Sequence, residues 1–187
     1  NTYVKTPRYQ IEDAMGQDQY LHFGDLAGGG KAGLARMAVA ALKQRSGVLP
    51  ALGVLESGSS TTAVQYHHGK LYCLQETGYP FALNTRLENG YLILDGEGEW
   101  DNFDGKLDSP FTAHPKIDPV TGDWYTFSTQ FSSGRLYHSV VRQGELAQHS
   151  VIDQQKPALA FLHDYYLTEH YLVFPDLSLR FNPKDMF

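Results

Sequence analysis

Apolar and polar positions along this chain follow two different periods. Over residues 12 to 45, Leu34, Met37, Ala38, Ala41 and Leu42 recur at spacings of three and four, with Lys31, Arg36, Lys43 and Arg45 at polar positions. That spacing predicts an amphipathic helix. Gly28-Gly29-Gly30 marks where it opens and Gly47 where it ends. No other part has a helical pattern, and the opening run Thr2-Tyr3-Val4-Lys5-Thr6 reads as strand. From Ser60 onward short apolar runs alternate with turn residues. Thr62 to Tyr66 and Leu71 to Gln75 enclose His67-His68-Gly69-Lys70, which predicts a hairpin. Turns at Glu88-Asn89-Gly90, Val120-Thr121-Gly122-Asp123 and Arg142-Gln143-Gly144-Glu145 separate strands at Tyr91 to Leu94, Trp124 to Phe131, Leu136 to Val141 and Leu146 to Ile152. Further strands follow at Ala158 to Leu162, Tyr165 to Thr168, Tyr171 to Phe174 and Leu177 to Phe181. Many short strands without intervening helices predict an all-β sandwich, barrel or propeller, and the pattern alone does not choose among them.

Composition narrows the function classes. Apolar residues form 42% and aromatic residues 13% of the 187 positions, enough for a packed core. A formal net charge of −6 without a dense Lys/Arg tract argues against a nucleic-acid surface. The lone Cys73 excludes an internal disulfide framework, and its apolar neighbours Tyr72 and Leu74 make it a small buried hydrophobe. No run reaches the roughly 18 apolar residues of a membrane span. The glycine triplet lacks the Gly-Lys-Ser/Thr ending of a phosphate loop and reads as a linker. The basic helix is expected to pack on its own domain, with contact to a membrane surface as the alternative. The chain opens on Asn1 and closes on Phe187, and both ends read as cut.

Candidate chemistry sits in the histidines. None of the eight forms a helical HExxH pair, and no CxxC exists, so a metal site would have to be assembled from distant strands. Imidazole alone does not name the metal. His67 and His68 read as turn residues, His138 and His149 as surface or cross-strand residues, and His22 and His170 as polar positions of no special pattern. His114 ends the apolar run Phe111-Thr112-Ala113, and Pro115 biases it toward an extended backbone where a strand gives way to a turn. His163 has a similar setting in Ala160-Phe161-Leu162-His163-Asp164. On local evidence both favour buried structural histidines over ligands. Glu76, after Leu71-Tyr72-Cys73-Leu74-Gln75, is either a solvated strand end or an acceptor for a ligand imidazole. Asp118 and Asp123 lie in a turn and read as backbone caps, and no Gly-x-Ser-x-Gly elbow is present.

Taken together, Thr61 to Glu76, Ser109 to Pro119, Phe161-Leu162-His163-Asp164 and Thr168 to Phe174 resemble the carotenoid cleavage oxygenase family. Asn1 to Glu12 and Leu179-Arg180-Phe181-Asn182-Pro183 fit the same style, whereas residues 24 to 58 match poorly. The resemblance implies an all-β fold, part of a seven-bladed β-propeller with a helical cap, and a ferrous ion held by four histidines from different blades. It implies that His114 and His163 are two of those ligands and that Glu76 is the carboxylate behind His163. The implied reaction is oxidative scission of a conjugated carbon–carbon double bond, with a hydrophobic polyene and O₂ as partners. Its competitors are a catalytically silent binding propeller and a retinoid isomerohydrolase of the same family. Family members are more than twice this length, and the remaining ligands are expected beyond Phe187. Residues 1–187 are therefore expected to be an internal piece, with 24–58 a cap segment and 60–187 about three blades. Alone it is expected neither to hold iron stoichiometrically nor to cleave carotenoids. An intracellular location, cytoplasm or plastid, with peripheral membrane contact as an alternative and no obligate protein partner, completes the expectation.

Overall fold

The computed structural model describes residues 3–20, 30–130, 133–152, 159–160, 162–178 and 180–181. The chain opens in a helix, α1 (Pro7–Met15), instead of the expected strand. The Thr6 hydroxyl accepts from the Tyr9 N–H, Pro7 occupies the first turn and Gly16 closes the helix at φ 67°. Cap, proline and left-handed glycine start and stop this helix where the sequence shows no apolar periodicity. Residues 3–6, expected as strand, pair in no sheet among the described residues, and the Lys5 N–H donates to Gly96 O at 2.8 Å. The patterned helix is present as α2 (Gly30–Arg45). Gly28, Gly29 and His22 lie outside the described residues.

Two four-stranded antiparallel sheets follow, each a simple meander. The first is β1 (Ala63–His67), β2 (Lys70–Leu74), β3 (Phe81–Glu88) and β4 (Tyr91–Trp100), in spatial order 1-2-3-4. The second is β5 (Lys116–Ile117), β6 (Trp124–Gln130), β7 (Arg135–Arg142) and β8 (Glu145–Ile152), in order 5-6-7-8. Two short antiparallel pairs complete the chain: β9 (Leu159–Ala160) with β12 (Arg180–Phe181), and β10 (Tyr166–Leu167) with β11 (Leu172–Val173). Strand β3 escapes the sequence pattern because Phe81, Ala82 and Leu83 are all buried while Asn84 to Glu88 are half-buried or exposed, so no alternation shows. A bulge after Leu83 accommodates the change, and a Cβ at Gly98 opposite would lie 2.2 Å from Ala82 O. Glycine is required there by backbone approach.

The chain is mostly β, as expected, with two helices where the pattern showed one, and among the described residues the sheets do not close into a ring. A four-stranded blade takes about 40–45 residues, so 187 residues cannot supply seven. The core lies between the two meanders. Trp124 is fully buried against Tyr72 at 5.1 Å and Phe111 at 5.7 Å between ring centres, joining both sheets to the 101–115 connection. His67 corrects an expectation: it is a buried strand end and not a turn residue. It stacks on Trp124 at 4.4 Å, with Nε2 3.1 Å from Gly122 O. It pins the β1–β2 hairpin to the β5–β6 turn.

Candidate metal centre

His114 ends a segment that both sheets hold. Ser109, Phe111, Thr112 and Ala113 are essentially inaccessible, and this apolar run is what drives the connection into the core. The Phe111 N–H donates to Gly78 O at 2.9 Å, and Ser109 Oγ meets Ser128 Oγ at 2.7 Å. Thr112 Oγ1 then accepts from the His114 N–H at 3.1 Å, fixing the backbone as it leaves the core for β5. His163 is placed by its neighbour Tyr165. That ring is fully buried, edge-on to Phe127 at 5.1 Å and stacked on Phe174 at 5.5 Å. Its hydroxyl accepts from the Lys116 N–H at 3.2 Å and donates to Tyr125 O. Burial pushes the phenol up from its ordinary value.

The two histidines meet across 49 residues of sequence. Their Nε2 atoms stand 3.0 Å apart, with the rings nearly perpendicular at 77°. On the far side of the His163 ring, Glu76 Oε1 lies 2.9 Å from Nδ1. The two atoms are close but off the N–H line, and Oε1 has no aligned donor. Glu76 Oε2 accepts from Thr62 Oγ1 at 3.4 Å. One ligand atom from each of Glu76, His114 and His163 falls within 4.8 Å of the others. The three residues singled out in the sequence thus converge, and Thr62 joins them.

This arrangement fits a metal. A carboxylate at Nδ1 favours the tautomer that leaves the Nε2 lone pair free. Two Nε2 lone pairs cannot face one another at 3.0 Å without a proton or a cation between them. Nitrogens about 2.1 Å from a metal and about 90° apart around it are themselves about 3 Å apart. A cleft of about 340 Å³ lies beside the pair, lined by Thr62, Glu76, Thr112, Phe111, Phe127 and His163 among others.

The other histidines differ. His149 is saturated, with Nδ1 2.7 Å from Ser139 Oγ and Nε2 2.8 Å from Asp108 Oδ1. His138 is half-buried and burial lowers its basicity, His170 is exposed, and His68 occupies a turn at φ 42°. Asp118 caps its turn as expected, accepting from the Val120 and Thr121 N–H groups, while Asp123 pairs with Arg142 at 2.8 Å. Cys73 is buried, which pushes its thiol up and away from reactivity. Sequence reasoning missed Lys116 and Tyr165. The only signal was position, each standing two residues beyond a candidate ligand.

Known proteins share this frame. The chain is 36% identical over 185 residues to carotenoid 9,10(9',10')-cleavage dioxygenase 1 of Arabidopsis thaliana, covering 98% of the chain and 32% of that protein. It is 34% identical to the carotenoid 9,10(9',10')-cleavage dioxygenase of Crocus sativus, with the same coverage. The lignostilbene dioxygenase of Pseudomonas brassicacearum superposes with a TM-score of 0.62 at 28% identity, over 92% of this chain and 31% of that one. The chain spans about a third of the length of these relatives. No helix among the described residues is long and apolar enough to cross a membrane. The family model described as retinal pigment epithelial membrane protein matches residues 1–187 from end to end, and the chain belongs to that family, the carotenoid cleavage oxygenases.

Proposed function

We propose that His114 and His163 are two of four histidine ligands of a non-haem Fe(II) centre, in a dioxygenase that cleaves a conjugated double bond of a carotenoid or apocarotenoid. The observation that carries this reading is the 3.0 Å approach of two Nε2 atoms with a carboxylate behind one of them. The names of the Arabidopsis and Crocus relatives point to a polyene substrate. When bound, the iron supplies the one-electron chemistry that lets O₂ react with a closed-shell alkene. The chain's own residues do the rest. His114 and His163 present their Nε2 atoms, Glu76 stands beside the Nδ1 of His163, and Phe111 and Phe127 give the neighbouring cleft an apolar wall. Two carbonyl products are expected, each retaining one carbon of the broken bond. In the same reading the two meanders are blades of a seven-bladed propeller, residues 60–187 supply about three of them and 24–58 belong to the cap. The same reading includes an intracellular location, in cytoplasm or plastid. Fe(II)-loaded intact protein is to be incubated aerobically with a panel of carotenoids, apocarotenoids and stilbenes. Paired aldehydes or ketones by mass spectrometry, absent in His114→Ala, are expected. Every polyene recovered intact would contradict the proposal.

A further inference from the structure

We propose that Lys116, Asp164 and Tyr165 are positioning residues, a clamp that sets the separation of the His114 and His163 Nε2 atoms; this rests on the metal-centre reading above. The two ligand segments share no strand ladder. His114 leads into β5, which pairs with β6, whereas His163 precedes β10, which pairs with β11. What joins them is a set of polar contacts beside the ligands. Lys116 Nζ lies 2.6 Å from Asp164 Oδ1, which also accepts from the Tyr165 N–H at 2.8 Å. Behind this pair the Tyr165 hydroxyl bridges the Lys116 N–H to Tyr125 O, at the register pair that closes β5 onto β6. Lys116 Nζ also stands 5.5 Å above the Tyr165 ring. Every member is within two residues of a ligand, so a shift at the clamp reaches the Nε2 atoms through short, rigid arms.

The Lys116 and Asp164 side chains keep 31% and 53% of their exposure. A pair so exposed contributes little to folding, so loss of the pair should register in the metal site and hardly in stability. The test uses the intact protein with Co(II) as probe, reading affinity by titration and coordination by the ligand-field absorption bands. Lys116→Met and Asp164→Asn should each weaken Co(II) binding by up to about 5-fold and change the bands, with the thermal midpoint nearly unchanged. The double variant should be no worse than the weaker single one. Reversing the pair as Lys116→Asp with Asp164→Lys restores the charge contact but not the acceptor for the Tyr165 N–H, and should recover part of the loss. Tyr165→Phe keeps the packed ring, removes the bridge and should act in the same direction. Unaltered affinity and bands in the single variants, with binding abolished in His163→Ala, would overturn the clamp alone. Losses that add in the double variant would overturn it too. Undiminished binding in His163→Ala would remove the metal centre and the clamp with it.

Discussion

Two histidines of this chain sit beside carboxylates at nearly the same distance. Asp108 Oδ1 is 2.8 Å from His149 Nε2, and Glu76 Oε1 is 2.9 Å from His163 Nδ1. Their second nitrogens separate them. In His149 that nitrogen meets Ser139 Oγ at 2.7 Å, and the ring lies flat on Tyr137 at 4.7 Å between centres. No lone pair is left over, so His149 is a bolt fastening the 101–115 connection to β7 and β8. In His163 the second nitrogen faces the Nε2 of another histidine. A carboxylate next to an imidazole therefore does not mark a ligand. The partner of the other nitrogen does.

The largest effect that sharpens this contrast is expected at Tyr165. Tyr165→Ala empties the space between Phe127 and Phe174 and should cost about 3–5 kcal/mol in a denaturant titration of the intact protein. It should also loosen His163 while leaving the Ser139–His149–Asp108 chain in place. Next comes Glu76→Gln, which keeps the shape and removes the charge at Nδ1. Metal affinity should fall about 10- to 100-fold, or about 1.4–2.7 kcal/mol, whereas Asp108→Asn should leave it unaltered. Equal losses from both variants would erase the distinction between the two clusters. Ser139→Ala should lower stability by about 1 kcal/mol, by orphaning a half-buried His149 nitrogen, without touching metal content.

The smallest effect is a pH dependence at a third kind of histidine. Burial holds His67 below its ordinary value of 6.5 despite the Gly122 carbonyl. The unfolded chain takes up a proton on this ring before the folded one does. The contribution of His67 is thus fully present above the unfolded value and is lost as pH falls through and below about 6.5. His67→Phe keeps the stack on Trp124 and should flatten the fall in stability between pH 7 and pH 5. A slope as steep as before would show that other groups carry it.

Much of the fold was legible because the turns between the strands carry their own sequence signals. The hairpins at His68-Gly69, Asn89-Gly90 and Gln143-Gly144 carry positive-φ pairs, and those dipeptides announced them. Helix α1 was hidden because its signals, Thr6, Pro7 and Gly16, are caps and not a periodic stripe. His67 was misread because its turn-like neighbours Gly69 and Lys70 say nothing of Trp124, which is 57 positions away in the numbering and beneath it in space. The site was legible only through resemblance. Nothing local to His114, His163 or Glu76 encodes their meeting, because it depends on Phe111 and Tyr165 burying themselves in the core and carrying their neighbours along.

The central claim is that His114 coordinates a metal and His149 does not. Metal stoichiometry of the purified intact protein, measured by elemental analysis for wild type, His114→Ala and His149→Ala, tests it most directly. The account predicts metal in wild type and in His149→Ala, and loss of metal in His114→Ala. Undiminished metal in His114→Ala, or equal loss in both variants, would contradict it.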